Sequence, residues 1–229
     1  MIKRGKKYQE AAKLITKELY GLEEALELLK KTAVTKFDSS CEVHLNLGLD
    51  PKQADQNIRT TVALPNGTGK DVRVVAFVDE TSAKAAVAAG AMEAGTGELV
   101  KKIEGGWLDF DVAVATPDQM KELGKIAKIL GQKRLMPSPK AGTVTPDFAK
   151  AIEELKTGKI ELRVDKEGNL HNIFGKASFD AAKLKGNLDM IIAKVKEIKP
   201  ARSKGTYIKS VTLTTSMGPA IHIDLKTLV

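Results

Sequence analysis

Histidine, cysteine and carboxylate side chains are the residues that could give this chain a catalytic or metal-binding site. The three histidines, His44, His171 and His222, are scattered along the sequence without the spacing of metal ligands. The single cysteine, Cys41, rules out an internal disulfide and leaves no zinc pattern. Asp50 and Asp55 could pair as acid and base, but loop carboxylates more often cap backbone amides. We therefore predict no enzyme activity, no catalytic residues, no metal and no cofactor.

The PNGTGK stretch at residues 65–70 faintly resembles a phosphate-binding loop. Gly67 and Gly69 are too close together for such a loop, and Asp71 follows the lysine where a hydroxyl is needed. A flexible turn is the better interpretation. One rival function stays open: a small metabolic α/β protein that binds a phosphorylated ligand at the strand ends of residues 72–145.

A row of hydroxyls near the end of the chain suggests a binding surface. In the strand predicted over residues 207–215, Val211 and Leu213 point to the core, and the intervening positions share the other face. The hydroxyl residues of that face are Ser210, Thr212, Thr214 and Ser216. The row runs into Met217 and Gly218, where glycine lets another backbone come close and methionine offers an adaptable apolar contact. This surface suits ribose hydroxyls and phosphates, although a solvated strand face is the plain alternative.

The net charge and amino-acid composition of the chain favour a polyanionic partner. The formal net charge is +8 and the sequence pI is about 9.4. An anionic membrane surface would explain the charge equally well, but no run approaches the roughly 20 apolar residues of a spanning helix. Aromatic residues make up only 4% of the chain, which counts against stacking of single-stranded bases and favours a reader of folded RNA.

The first residues bear on location. Residues 1–8 are basic and lack the apolar core of a secretory signal, so we predict a cytoplasmic protein. This stretch is either a frayed soluble arm or an arm that lies on phosphates.

Two patterns of apolar and polar residues predict two domains. Strict alternation over residues 41–49 predicts a strand with one buried and one open face, and residues 58–64 form a second strand-like run. After Gly69, buried strands alternate with helices, which indicates a small domain with a parallel sheet. The predicted strands there are 72–78 and 110–115, and the predicted helices are 82–89, 98–103, 116–130 and 146–156.

Alternating strands return after residue 159. Residues 160–164 and 170–174 predict a hairpin, and residues 179–199 predict a long helix. Further predicted strands cover 207–215 and 221–225, and predicted helices near the start cover 8–19 and 21–33. The predicted fold class is α/β, with a discontinuous outer domain of residues 1–67 and 160–229 and an inserted domain of residues 68–159.

Charge separates the two predicted domains. Residues 68–159 carry 14 Lys and Arg against 13 Asp and Glu, whereas the rest of the chain carries 23 against 16. The attraction for a polyanion therefore lies on the outer domain, where we place the main binding site.

Several stretches resemble the signatures of the bacterial large-subunit ribosomal protein L-one family. They are KFDSSCEVHLNLGLDPKQADQNIR, WLDFDVAVATPD, LMPSPKAGTV and TTSMGP, and the match covers essentially the whole chain in order and spacing. The resemblance implies an α+β outer domain with a split β-α-β arrangement and an inserted three-layer Rossmann-like domain. It also implies a monomer within the ribosome that binds the stalk of large-subunit rRNA and contacts departing tRNA at the exit site. Finally, it implies repression of the protein's own operon mRNA.

The resemblance also implies which residues contact RNA. Together with Thr214 of the hydroxyl row, the predicted RNA-binding residues are Lys36, Phe37, Glu42, Lys166, His171, Ser210, Ser216, Met217 and Gly218. Three places depart from the family pattern. Ser216 stands where threonine is usual, Val164 stands where asparagine is usual, and residues 131–134 read Gly-Gln-Lys-Arg instead of Gly-Pro-Arg-Gly.

Overall fold

A computed structural model of the protein describes residues 5–51, 53–200, 203 and 205–228. The chain divides into two compact units. The outer unit consists of Met1–Gly69 and Ile160–Val229, and the inserted unit consists of Lys70–Lys159. Residues 1–4 of the predicted basic arm lie outside the described residues.

Helices and strands are mixed in both units, which confirms the α/β class. The helices are α1 Lys6–Lys13, α2 Leu22–Lys31, α3 Glu80–Ala88, α4 Gly97–Glu104, α5 Met120–Leu123, α6 Ala127–Gln132, α7 Phe148–Thr157 and α8 Ala181–Glu197. The strands are β1 Ser40–Leu47, β2 Arg59–Ala63, β3 Val74–Phe77, β4 Glu93–Ala94, β5 Val112–Ala115, β6 Lys159–Arg163, β7 Asn169–Lys176, β8 Ile208–Thr215 and β9 Ile221–Ile223.

The outer unit contains a four-stranded antiparallel sheet in the order β7-β1-β8-β9. Side chains on β1 alternate between buried and half-buried, as the sequence predicts. The buried face packs with the apolar sides of α2 and α8, where Leu26, Leu29, Leu188 and Ile191 are nearly inaccessible to solvent. Each such side chain stabilises the fold by roughly 2 kcal/mol on leaving water. The opposite face of this sheet, which we call the open face, carries half-buried and exposed side chains.

The predicted hairpin of residues 160–164 and 170–174 is wrong in its pairing. Strand β6 pairs with β2 in a separate two-stranded sheet, whereas β7 pairs with β1. In the described part of the chain, a single isolated bridge, between Val164 and Leu170, joins the two predicted hairpin strands. The side-chain amide of Asn172 donates to the carbonyl of Glu161 at 2.8 Å. This carbonyl therefore accepts its hydrogen bond from a side chain of β7 rather than from the backbone of β7. The strands predicted over 41–49 and 58–64 likewise lie in different sheets.

The first predicted helix is also too long at its end. Helix α1 ends at Lys13, and the phenolic oxygen of Tyr20 accepts hydrogen bonds from the backbone amides of Thr16 and Lys17 at 2.7 and 2.9 Å. The backbone of this segment therefore bends around a side chain instead of continuing the helix.

The inserted unit is built on a parallel sheet in the order β4-β3-β5. All four residues of β3 are buried. Val75 and Phe77 pack toward α4 on one side, while Val74 and Ala76 pack toward α3 and α7 on the other. Helices on both faces explain why this strand is a continuous apolar run. The helix predicted over 116–130 is instead divided by a 3-10 turn at Gly124–Ile126, where glycine weakens the helix.

The PNGTGK stretch is a turn fixed by one buried side chain. The Asn187 amide donates to the carbonyls of Gly67 and Phe174, both at 2.8 Å, and its oxygen accepts from the backbone amide of Asn66 at 3.0 Å. Gly67 and Gly69 both have positive φ, which glycine adopts without strain. The glycines thus serve turn geometry, which agrees with the turn interpretation.

Candidate nucleic-acid interface

The open face of the outer sheet carries three cross-strand rows of side chains. Directly opposite residues in antiparallel strands point to the same side of the sheet. From one end of β1 to the other, the rows are Ile173–Glu42–Thr214, His171–His44–Thr212–His222 and Asn169–Asn46–Ser210. The first row supplies the one aliphatic side chain of these three rows, and it is 41% exposed. The rows bring together chain segments from both ends of the sequence.

Strand β8 supplies the hydroxyls of this face. Val211 and Leu213 are buried in the core, as the sequence predicts, and Ser210 is exposed. Thr212 and Thr214 are half-buried, each opposite a β1 side chain. The row therefore presents hydroxyls in the middle of the sheet rather than at an edge.

A tight turn follows the hydroxyl row. The amide of Gly218 donates to the carbonyl of Thr215 at 2.8 Å, and the hydroxyl of Thr214 donates to the carbonyl of Gly218 at 3.2 Å. Met217 adopts a φ of 63°, a left-handed conformation that non-glycine residues seldom adopt. Its side chain is 78% exposed. The turn therefore holds an apolar side chain in water at some cost in backbone strain.

The same end of the sheet receives the segment that precedes β1. Ser216 donates its amide to the Ser40 carbonyl at 3.0 Å, and its hydroxyl accepts from the Ser40 amide at 3.2 Å. The Lys176 ammonium donates to the Ser40 hydroxyl at 2.9 Å. Lys36 and Phe37 lie just before this clamp, and both are exposed, Phe37 by 62%. Seven of the predicted RNA-binding residues therefore gather within a few residues of the clamp or on the adjoining rows: Lys36, Phe37, Glu42, Thr214, Ser216, Met217 and Gly218.

The remaining predicted residues extend toward the opposite end of the sheet. Ser210 lies in the last row, and Lys166 is exposed in the turn between β6 and β7. The Asp165 carboxylate shapes that turn by accepting from the amides of Glu167 and Asn169 at 2.8 and 2.7 Å. At about 3.4 Å per residue, the six-residue step along β1 from Ser40 to Asn46 covers roughly 20 Å. The ten predicted residues thus follow one strip along the sheet.

Several residues of this face were not in the predicted set. His44 and Asn46 lie on the open side of β1, and the alternation of that strand already indicates this side. Ile173 and the Asn169 side chain, which accepts from Asn46 at 2.6 Å, come from β7. Their place beside β1 depends on strand pairing, for which the sequence has no local signal. Lys176 was missed for the same reason.

Charge and burial modify the titratable groups here. Burial lowers the pKa of His44, the neighbouring His171 lowers it further, and Glu42 acts in the opposite direction. Burial raises the pKa of the Cys41 thiol to about 12, so this buried group is neutral and unreactive at neutral pH.

Two kinds of site are absent from the described residues. Among them, no three His, Cys, Asp or Glu side chains are arranged to hold a metal ion. Within the same ranges, no helix has the length and apolarity needed to cross a lipid bilayer.

Two compact α/β units, one of them split, and a hydroxyl-rich sheet face define a class of α/β protein suited to a folded polyanion. A model of the Ribosomal protein L1p/L10e family matches residues 29–219, from within α2 to the turn after β8. The chain belongs to this family. It is accordingly a ribosomal protein that binds rRNA, and the family indicates a structural rather than an enzymatic role.

Proposed function

We propose that the open face of the outer sheet, with the clamp at its end, binds the stalk region of large-subunit rRNA. The single observation that carries this proposal is the pair of hydrogen bonds between Ser40 and Ser216. These hydrogen bonds bring the segments that carry the exposed Phe37 and Met217 to one end of the sheet, beside the hydroxyl row. The proposed RNA-binding residues are Lys36, Phe37, Glu42, Lys166, His171, Ser210, Thr214, Ser216, Met217 and Gly218.

The chemistry of the strip suits recognition of RNA shape. Hydroxyls such as that of Ser210 can donate to and accept from ribose 2′-hydroxyls, which distinguish RNA from DNA. Lys36 and Lys166 offer ammonium groups to phosphates toward the two ends of the strip. The exposed side chains of Phe37 and Met217 can exclude water from the contact and so strengthen the polar interactions around them.

The charge distribution of the inserted unit disfavours the rival function. Asp79 and Glu80 follow β3, and Asp118 lies just after β5, so carboxylates surround the strand ends where a phosphorylated ligand would bind. Asp79 accepts a hydrogen bond from the Gln119 amide, which places this carboxylate at the strand ends. Negatively charged carboxylates at these strand ends would repel a phosphate.

Further roles follow from the family resemblance and belong to the same proposal. We propose that residues 1–67 and 160–229 form the RNA-binding domain and that residues 68–159 form an inserted domain. We further propose that the protein works as a monomer within cytoplasmic ribosomes and assists release of deacylated tRNA from the exit site. An mRNA site that presents the same shape as the rRNA would compete for this one surface and so repress the operon.

A binding titration tests the proposal. Fluorescence anisotropy would compare a labelled stalk rRNA fragment with an RNA hairpin of equal length and unrelated loops. We expect the stalk fragment to bind at least tenfold more tightly, a difference of about 1.4 kcal/mol. Unlabelled leader RNA of the protein's own operon should displace the fragment. Equal affinity for the two RNAs would overturn the proposed site and leave only a non-specific basic surface.

A further inference from the structure

Two histidines from distant parts of the chain face each other on the open sheet. The Nδ1 atoms of His44 and His171 lie 2.8 Å apart, and the residues are 127 positions apart in sequence. The outer nitrogen of each ring faces a carboxylate: His44 Nε2 lies 3.8 Å from Glu42, and His171 Nε2 lies 3.4 Å from Asp165. The four groups form one chain in the order Glu42, His44, His171, Asp165, with the two histidines in the middle and a carboxylate at each end.

The distance between the two rings limits how many protons they can hold. With one proton between the Nδ1 atoms and one on each Nε2, every nitrogen has a partner, and the pair carries a single positive charge. Two positive charges would place two N–H groups head to head at 2.8 Å, which electrostatic repulsion opposes. The pair therefore has one readily gained charge, and the state without it leaves a carboxylate facing a nitrogen that has no hydrogen.

The neighbouring strands add few competing charges. On the other side of His44, β8 contributes the uncharged Thr212, whose hydroxyl lies 3.0 Å from Nδ1 of His222 on β9. His222 is thus the third titratable ring of the same row, but a hydroxyl separates it from the pair. Both histidines of the pair are partly open to solvent, so a ligand on this face can contact them.

We propose that the His44–His171 pair takes up a proton when the sheet face binds RNA, so that rRNA affinity rises as the pH falls. This inference rests on the proposed function, because it needs RNA to lie on this face. Phosphates near the pair favour its charged form, and binding and protonation must strengthen each other reciprocally.

The direction of the pH dependence follows from the pKa of the pair in the free protein and in the RNA complex. Burial and the second ring lower the pKa of His44 in the free protein, and nearby phosphates would raise the pKa of the pair in the complex. The extra affinity is fully present below the pKa of the free pair and is lost as the pH rises through the higher pKa of the complex. We expect the affinity to rise about fivefold between about pH 7.5 and about pH 6.

The test is the affinity of the full chain for the stalk rRNA fragment at these two pH values and constant ionic strength. We expect the fivefold rise in the unaltered protein and in His222→Gln, the matched control from the same row. The double variant His44→Gln with His171→Gln keeps hydrogen-bonding groups but leaves no titrating ring in the pair, so its affinity should change by less than twofold between the two pH values. Calorimetry of the unaltered protein in buffers of different ionisation enthalpy should also show proton uptake on binding, independently of any variant's folding.

Each outcome decides one question. Equal affinity of the unaltered protein at both pH values with no proton uptake overturns the inference and leaves the proposed function standing. A pH dependence that persists in the double variant of His44 and His171, or that disappears in His222→Gln, moves the effect away from the pair and also overturns the inference. No binding of the stalk fragment at either pH overturns the proposed function itself.

Discussion

Ser40 and Ser216 exchange two hydrogen bonds across the end of the outer sheet, although 176 residues separate them. The first pairs the Ser216 amide with the Ser40 carbonyl, and the second pairs the Ser40 amide with the Ser216 hydroxyl. Because one serine precedes Met217 and the other follows Phe37, this pair holds the two segments that carry these exposed apolar side chains at the same end of the sheet. Neither terminal segment alone could form such a surface.

Removing the hydroxyl of this clamp should weaken both fold and binding. Ser216→Ala leaves the Ser40 amide without its partner, which should lower the free energy of unfolding by about 1 kcal/mol. We expect a several-fold loss of rRNA affinity, because the Phe37 and Met217 segments are no longer held together. Ser216→Thr, which restores the residue usual in the family, is the control and should behave like the unaltered chain. Chemical denaturation and anisotropy measure the two effects, and wild-type affinity in the alanine variant would show that the clamp has no role in binding.

Replacing the strained Met217 should affect the stability of the fold and the affinity for rRNA in different ways. Met217→Gly relieves the positive φ, so the free energy of unfolding should stay equal or rise by up to about 1 kcal/mol. The same change removes an exposed apolar side chain, and rRNA affinity should fall at least about tenfold. Met217→Leu keeps an apolar side chain and should retain most of the affinity. If the glycine variant binds like the unaltered protein, Met217 does not contact RNA.

Gly218 is required by its neighbour rather than by its own backbone angle. A Cβ built on this residue would lie 2.2 Å from the Thr215 hydroxyl oxygen, which is buried and has no hydrogen-bond partner in the described part of the chain. Gly218→Ala should therefore lower the free energy of unfolding by about 1–3 kcal/mol.

Thr215→Ala removes the obstructing oxygen. The double variant Gly218→Ala with Thr215→Ala should recover most of the loss, which a double-mutant cycle in urea would measure as a coupling of at least about 1 kcal/mol. Additive effects of the two changes would mean that the oxygen is not the obstacle.

The sequence alone predicts which side of a strand is buried better than it predicts which strands pair with each other. Alternation along residues 41–49 correctly predicts the buried side of β1, because a period of two is local information. The place of Ile173 beside Glu42 depends on β7 pairing with β1, and the sequence instead favoured a hairpin with β6. Short loops favour hairpins in general. Here β6 pairs with β2 instead, and the Asn172 side chain forms a hydrogen bond to the Glu161 carbonyl.

Other features of the site also lie beyond local pattern. The bend after α1 depends on the hydroxyl of Tyr20, which reaches back to residues 16 and 17. The pairing of His44 with His171 and of Ser40 with Ser216 requires strand register, which is set over more than 100 residues of chain. The hydroxyl row of β8 was predictable because its alternation is contained in one strand.

An ion-pair cluster should make the stability of the inserted unit sensitive to acid. Burial alone would raise the pKa of Asp111, but hydrogen bonds from Lys70 and Arg73 outweigh burial and lower it to about 2. A lowered carboxyl pKa stabilises the fold above its ordinary value and ceases to do so as the pH falls through the folded-state value. We expect the unit to lose about 1–2 kcal/mol between about pH 4 and about pH 2 through this residue.

Asp111→Asn should remove that part of the acid dependence while lowering stability at neutral pH. Asp109→Asn is the matched control, because Asp109 also contacts Arg73 but its side chain is 73% exposed. Thermal unfolding followed across this pH range would measure both. An acid dependence that is the same in Asp111→Asn as in the unaltered protein would assign it to other carboxylates.

The affinity of the outer unit alone for the stalk rRNA fragment shows whether this unit holds the main RNA-binding surface. A shortened chain that joins residues 1–67 to 160–229 through a brief glycine-rich linker retains the Ser40–Ser216 pair, the hydroxyl row and the surplus of basic residues. Among the described residues, every member of the apolar cluster around β1, α2 and α8 comes from these segments. We predict that it folds, as judged by circular dichroism, and binds the fragment within about tenfold of the full chain, a difference below about 1.4 kcal/mol. A folded shortened chain whose affinity is more than tenfold weaker would contradict the account and make the inserted unit a principal contact.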